Sequence, residues 1–466
     1  MTPIRSTRIV FHVRRISIVL FLTVLFGFLD GPLEARAAES PNVVFLFADD
    51  LGWTDLGCYG SAYYETPNID RLRSEGMKFT SAYTNGPNCQ PTRACLLSGQ
   101  YSPRHGVYTV RSGDRGLEKF RRMIPAPNRT YLPAEVVTIA EAAKTAGYAT
   151  GCFGKWHLGE KPKHLPRAQG FDEVASRGKH AAHPATEHLT DRTIDFIRRY
   201  KERPFFAYVP FHAVHTPIRA GKERADRFNK KPRVGGHNDA VYAAMLSELD
   251  DGVGRILRTL DELDLRDNTL VVFYSDNGAL GGYNRAGIYG GIGKDISDNA
   301  PLHGGKGMLY EGGIRVPLIV RWPSTVSPGS LCHEPVISVD FYPTLLQVMR
   351  AETPSQPLDG LSLLPLLRAP QSAHMDRDAL FWHFPGYLQA GIERGSWRTT
   401  PAGAIRVGNF KLIEFFETGR VELYDLANNI SETENLAADK PAVAERLHRT
   451  LIAWRERMNA PMPKPK

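Results

Sequence analysis

Apolar residues in this chain fall into short unbroken runs, separated by stretches with a spacing of three and four, and most runs end abruptly in polar residues. Asn42–Phe47 is such a run, and it stops at Ala48-Asp49-Asp50-Leu51-Gly52. Unbroken apolar runs of this length mark strands covered on both faces. Tyr148–Phe153, Pro204–Val209, Thr269–Tyr274 and Leu318–Trp322 repeat the pattern. Helical periodicity lies between them, at 68–75, 137–146, 191–200 and 339–349. The clearest helix runs from Asn238 to about Leu263, with Val241, Met245, Leu249, Val253, Ile256, Leu257 and Leu260 on one stripe. This alternation predicts an α/β fold whose large, mainly parallel sheet is sandwiched by helices. Residues 160–190 show little periodicity and read as a long surface loop. Four prolines between Pro354 and Pro370 mark a boundary, so 38–353 reads as the main domain and 354–466 as a C-terminal subdomain. In that tail 404–407, 411–416 and 421–424 read as short strands and 442–458 as a helix, giving a small antiparallel sheet with one helix.

The first 37 residues stand apart from the fold. Arg5, Arg8, Arg14 and Arg15 precede an apolar stretch from Ile16 to Leu29, and Ala35-Arg36-Ala37 follows. That order predicts a cleaved signal peptide, and the apolar stretch is short for a membrane span. The expected destination is export: periplasmic or secreted, or lysosomal or extracellular in a eukaryotic host. Removal of residues 1–37 takes away five arginines and two acids, lowering the formal charge from +8 to +5. Basic residues are scattered, which argues against a nucleic-acid surface. No later stretch is long and apolar enough to span a bilayer, so no stable membrane insertion is expected after cleavage. The five cysteines, Cys58, Cys89, Cys95, Cys152 and Cys332, are an odd number for an exported chain, so at least one is unpaired. Cys89 is the candidate, and one or two bridges among the others stay open.

Candidate chemistry gathers where the strands end. Asp49 and Asp50 end the first run; Lys155 and His157 follow the second, in Gly154-Lys-Trp-His-Leu-Gly159. His212 and His215 follow the third, and Ser275-Asp276-Asn277-Gly278 follows the fourth. In open α/β sheets ligands bind at these ends. A fifth group sits in Asn88-Cys89-Gln90-Pro91-Thr92-Arg93, where proline in a first helical turn would set Cys89 at a helix N-terminus, with its free N–H groups and partial positive charge. Three carboxylates and an amide are hard oxygen ligands, which favours Ca²⁺ or Mg²⁺ over Zn²⁺. Two lysines, histidines and an arginine around such an ion suit a tetrahedral oxyanion that gains charge as a bond breaks.

Cys-x-Pro-Thr-Arg, Gly-Lys-Trp-His-Leu-Gly, Ser-Asp-Asn-Gly and Gly304-Gly-Lys-Gly-Met-Leu-Tyr-Glu-Gly-Gly-Ile-Arg-Val-Pro317 occur in that order. The chain resembles the type I sulfatases of the alkaline phosphatase superfamily over about residues 40–460, including Val421-Glu-Leu-Tyr-Asp-Leu426. The resemblance implies that Cys89 is oxidised to formylglycine by a formylglycine-generating enzyme. It places Asp49, Asp50, Asp276, Asn277 and the modified Cys89 around Ca²⁺. Arg93 and Lys155 would steady the aldehyde hydrate, one hydroxyl of which attacks sulfur while Lys155 and Lys306 hold the sulfate oxygens. His215 would protonate the departing alcohol, and His157 would take the proton that lets the aldehyde re-form and sulfate leave. A serine ester has no second hydroxyl and no such exit. Thr92 replaces a commoner serine, and His303 replaces a frequent arginine in a place that bears on the substrate pocket. His212 matches no core role.

The implied activity is calcium-dependent hydrolysis of sulfate esters, with a sulfated carbohydrate as substrate. A phosphonate or phosphate ester hydrolase using the same nucleophile is the same-chemistry alternative, and an unmatured sulfated-glycan binding protein the non-enzymatic one. Substrate identity is expected from 160–190, 278–303 and the tail residues His383, Trp397 and Arg398. Asn128-Arg-Thr and Asn429-Ile-Ser are glycosylation sequons only in a eukaryotic host.

Overall fold

The first strand, Asn42–Ala48, is the spine of the molecule because each of its faces is apolar in its own right. Val43, Phe45 and Phe47 point into one core, and Val44, Leu46 and Ala48 into the other, as the two-residue period of a strand requires. The computed structural model describes residues 40–176, 185–283, 295–391 and 396–466. The expected leader therefore lies outside the described residues. Ser40–Lys466 form one compact unit.

The main sheet has eight strands, in the order 330–332, 77–79, 318–321, 269–275, 42–48, 205–210, 149–153, 173–175. All run the same way except Leu318–Arg321, which is antiparallel to both neighbours. On one face lie the helices Cys89–Ser98, Ile139–Thr145 and Phe341–Met349. On the other lie Pro67–Ser74, Ala185–Arg199 and Ala240–Glu262. Parallel register places Phe47 beside Pro210 and Ala48 beside Ser275, so three polar clusters start at the same level on adjacent central strands.

The small antiparallel sheet holds four strands, Leu380–Phe384, Ala402–Val407, Phe410–Phe415 and Arg420–Asp425, with Pro441–Arg457 as its helix. Its core is shared with the main body. Trp382, Ile405, Leu412, Leu423, Leu451 and Trp454 belong to one apolar cluster with Tyr83, Cys95 and Ile314. A buried ionic joint crosses the same boundary: Lys411 donates to Glu311 at 3.0 Å and to Glu432 at 2.9 Å. Tyr83 and Arg315 also donate to Glu311. Glu311 and Arg315, part of the long glycine-rich motif, thus join the two sheets rather than line the site.

Several expectations change. The segment 160–190 is not one loop, since two short turns at 162–164 and 166–169 are followed by an edge strand, Glu173–Ala175, and a helix that begins at Ala185. Threonines conceal that helix start, because Thr186 and Thr190 are buried without being apolar. Sequence reading also missed the edge strand 330–332, its neighbour 77–79 and the strand 380–384, all shorter than a periodicity window. In the long helix Val241 is 38% exposed, and the buried stripe runs through Tyr242 and Leu246 instead. All five cysteines are free thiols, so no bridge links them.

Candidate active site

Cys89 is the first residue of its helix, and every residue of that helix is buried. Pro91 occupies the third helical position, where its missing N–H leaves no bond broken. The thiol lies 3.3 Å from Asp49 Oδ1, 3.7 Å from Asp50 Oδ1 and 3.6 Å from Lys306 Nζ. Lys155 Nζ donates to Asp49 Oδ2 at 2.6 Å, and Lys306 Nζ to Asp50 Oδ2 at 2.6 Å. Arg93, fully buried, gives Nε and Nη2 to Asp276 Oδ2 at 3.0 and 2.5 Å, and Nη1 to the Lys155 carbonyl at 2.7 Å. Asp276 Oδ1 accepts the Asp50 amide at 3.1 Å. Asn277 Nδ2 donates to Asp50 Oδ1 at 2.8 Å, while its Oδ1 is buried without a partner.

Glycine makes this convergence possible at two places. A Cβ on Gly154 would lie 1.9 Å from the Pro210 carbonyl, and φ there is +144°. The close approach lets the Lys155 amide donate to that carbonyl at 2.7 Å, which fixes where the lysine leaves the sheet. A Cβ on Gly278 would lie 1.8 Å from the Gly312 carbonyl, so the segment after Asn277 packs against the segment after Lys306. The glycine-rich stretch is a close-packed wall there, as the sequence implied.

Three carboxylates face three cationic side chains. Burial works against the charge of Asp49, yet Lys155 and Arg93 hold its carboxyl well below the usual range. Asp50 is lowered too, against burial, chiefly by Lys306 and His215. Burial and the Asp49 charge push Asp276 up to about 6. Lys155 is raised, because the Asp49 carboxylate outweighs burial. Burial, then the Lys155 and Arg93 charges, push His157 down to about 3, so its imidazole is neutral at ordinary pH. Burial and the Asp276 and Asp49 carboxylates push the Cys89 thiol far up. The helix N-terminus therefore does not make a reactive thiolate here, since adjacent carboxylates outweigh a partial positive charge.

The five strand-end clusters meet at one place. Asp49, Lys155, His157, His212 and His215 line a cleft of about 1820 Å³. His215 Nε2 is 3.7 Å from Asp50 Oδ2 and its side chain is 32% exposed, so it stands at the rim. Lys155 and His157 reach the cleft from a loop, not an extended segment, with His157 at φ +62°. His303 packs edge-on against Tyr310 at 4.4 Å. His383 is not a cleft residue: it is 5% exposed and bonded to the Pro461 carbonyl inside the small sheet. Trp397 and Arg398 lie on a hairpin near Tyr387 and Tyr283. Asn128 lines the cleft and uses its amide in bonds to Tyr108, Thr109 and Arg111, a role the sequon did not suggest. Sequence reading missed Gln90, at the free position of the cysteine motif, and Arg111, Tyr131 and His164, which sit in no recognisable pattern, on the cleft wall.

Ligand atoms of Asp49, Asp50, Cys89 and His215 lie within 4.8 Å of one another, a buried Asp/Cys/His cluster that can hold a metal ion. No described helix is long and apolar enough to cross a membrane. The sulfatase family matches residues 41–351, and the C-terminal family described as N-sulphoglucosamine sulphohydrolase matches residues 303–457. A sulfatase of Formosa agariphila is 35% identical, with 94% of each chain covered. The human N-acetylgalactosamine-6-sulfatase is 33% identical over 76% of this chain and 70% of its own. Among solved structures, Ps i-CgsB in complex with k-i-k-neocarrahexaose is 28% identical with a TM-score of 0.74, covering 89% of this chain and 93% of that one. A family match over that span, with relatives a third identical along most of the chain, makes this protein a member of the sulfatase family in the alkaline phosphatase superfamily, a hydrolase of sulfuric esters.

Proposed function

We propose that the protein is an exported, calcium-dependent sulfatase that removes sulfate from a sulfated carbohydrate through a formylglycine made from Cys89. The observation that carries this reading is the seat of Cys89, between two aspartates and Lys306. Burial and the Asp276 and Asp49 carboxylates push its thiol up, which disfavours a free thiolate there. Two relatives support the carbohydrate: one named as an N-acetylgalactosamine-6-sulfatase, the other solved in complex with k-i-k-neocarrahexaose. The leader-like sequence of residues 1–37 supports export.

The donor set fits a hard divalent cation. Asp49, Asp50, Asp276 and Asn277 would hold Ca²⁺ with the modified Cys89, and the unpartnered, buried Asn277 Oδ1 is the atom that most needs such an ion. Bound calcium would supply positive charge at the sulfate oxygens. The charge balance agrees, since Asp49, Asp50 and Asp276 match Lys155, Lys306 and Arg93 and leave no net positive charge among those six groups. Formylglycine would supply a hydrated aldehyde, which provides both a nucleophilic hydroxyl and a second one for sulfate release.

The remaining roles belong to side chains already in place. Lys155 and Lys306 keep their charge when buried and would clamp the sulfate oxygens. Arg93, held by Asp276 and the Lys155 carbonyl, would orient the modified residue. His215 at the cleft rim would give a proton to the leaving alcohol, and neutral His157 is able to accept one. The test is the mass of the tryptic peptide containing Cys89 from natively expressed protein, with sulfate release assayed on sulfated mono- and oligosaccharides and on an aryl phosphonate. Aldehyde mass with sulfate release supports the reading; an unmodified thiol sinks it. Chelation should abolish turnover, and Ca²⁺ should restore it and raise the melting temperature.

A further inference from the structure

Among the described residues, no carboxylate forms an ion pair with any of three arginines beside the site, Arg111, Arg115 and Arg398. The loop 108–115 is tied to the residue before the nucleophile, because Asn88 Nδ2 donates to Thr109 Oγ1 at 2.8 Å. Asn128 pins the same loop, accepting the amides of Tyr108 and Thr109 and donating to the carbonyls of Thr109 and Arg111. Arg111 lines the cleft together with Asp49 and Lys155. Arg115 is half-buried and donates to the Val110 carbonyl. Further along, the Tyr387 amide donates to the Gly113 carbonyl at 2.7 Å, which brings the hairpin 388–391/396–399 against the loop.

That hairpin supplies Arg398. Its guanidinium lies 4.9 Å over the ring of Tyr283, whose hydroxyl donates to the Lys306 carbonyl at 2.7 Å. Tyr283 is 2% exposed, so a buried ring links Arg398 to the catalytic lysine's backbone. The Arg398 stem packs on Gly307, where a Cβ would lie 3.1 Å from Arg398 Cδ. Arg398 Nε is buried without a partner. Two nearby described acids are engaged elsewhere: Asp114 faces Arg121, and Glu417 accepts from Tyr387. Burial, and then the charges of Arg111 and Arg398, lower Arg115, while Cys89 acts on it in the opposite sense, so all four groups share one electrostatic neighbourhood.

We propose that Arg111, Arg115 and Arg398 form a second anion subsite beside the reacting sulfate, so that the substrate is a saccharide carrying another sulfate or a carboxylate near the ester that is cleaved. The proposal rests on the sulfatase reading and adds the substrate's charge pattern. Like charges gathered without a counter-ion are unfavourable in the free protein, and an anionic group on the ligand relieves that repulsion with charge-assisted hydrogen bonds.

The test measures binding by calorimetry to full-length, calcium-loaded Cys89→Ser protein, which holds substrate without turning it over. Three disaccharides of one linkage serve as probes: monosulfated, disulfated, and monosulfated with a uronate. The dianionic probes should bind about tenfold or more tightly than the monosulfated one, the scale of a charge-assisted hydrogen bond. Arg115→Gln with Arg398→Gln should erase that ratio, and Arg115→Lys with Arg398→Lys should retain part of it and serve as the variant pair if the glutamines unfold. An advantage for the disulfated probe alone assigns a sulfate to the subsite; one for the uronate alone assigns a carboxylate. Equal affinities in the parent, or a ratio that survives the double glutamine variant, would overturn the proposal. Failure of the unaltered enzyme to release sulfate would refute the sulfatase reading instead, because this affinity ratio does not depend on turnover.

Discussion

At the scale of single residues, Cys89 and Arg93 show how one short motif serves two ends. Cys89 carries the proposed chemistry but little of the fold, since its neighbours are held without it, Asp50 by Lys306 and Asn277 and Asp49 by Lys155. Cys89→Ala and Cys89→Ser should each lower sulfate release by a factor of about 1000 or more, with an unchanged melting temperature. Full activity in Cys89→Ala would refute the mechanism. Arg93 is the opposite case. Removing it strands Asp276 as a buried, unpaired carboxylate, so Arg93→Ala should lose about 3–5 kcal/mol in urea unfolding as well as activity. Roles of this kind were legible in the sequence because the residues sit in patterns: the proline sets the helix start, and charged residues at strand ends have a physical reason to be there. Arg111, Arg115, Tyr131 and His164 had no pattern, and His383 was misjudged because a histidine's burial cannot be read from its neighbours in the chain.

At the scale of elements, the strand ends do the positioning. Lys155 enters the site only because its strand ends in Gly154, whose backbone presses against Pro210. Gly154→Ala should cost about 1–3 kcal/mol of stability from a strained φ and a clash, and should lower kcat further by moving Lys155. A stability loss without any change in kcat would count against this positioning role. Long elements were well predicted, as were the short tail strands 404–407, 411–416 and 421–424, but three other short strands were not. The strands 77–79, 330–332 and 380–384 gain their order from neighbouring strands rather than from internal alternation, so nothing local announces them. The helix 185–199 was cut short because Thr186, Thr190 and Thr193 are buried by bonding their hydroxyls to the preceding turn or by close packing, not by being apolar.

For the whole molecule, the two sheets share a core and an ionic joint, so the tail is welded to the body through Lys411, Glu311 and Glu432. We propose that 38–353 is the catalytic domain and 354–466 a C-terminal subdomain packed onto it, with 1–37 a signal peptide removed on export. Acid stability offers a test of the packed interior. His105 is fully buried against Cys95 and accepts the Val107 amide at Nδ1, and burial pushes it from 6.5 down to about 3. A histidine depressed in the fold stabilises the protein above its unfolded pKa, and that contribution is lost as pH falls from about 6.5 towards 3. His105→Gln should therefore flatten the decline of stability in this window by about 1.4 kcal/mol per pH unit relative to the parent, as followed by urea unfolding at stepped pH. By itself the sequence determined the α/β alternation, the strand-end clusters and the family resemblance, because periodicity, strand termini and motif spacing are local properties of the chain. Tertiary structure alone decided that the Cys89 thiol lies among carboxylates that push it up, that the glycine-rich motif divides between Lys306 beside Cys89 and a structural joint, and that Arg398 of the tail lies over Tyr283, whose hydroxyl bonds the Lys306 carbonyl. Those outcomes depend on distances between residues up to hundreds of positions apart, which only the packed sheets can set.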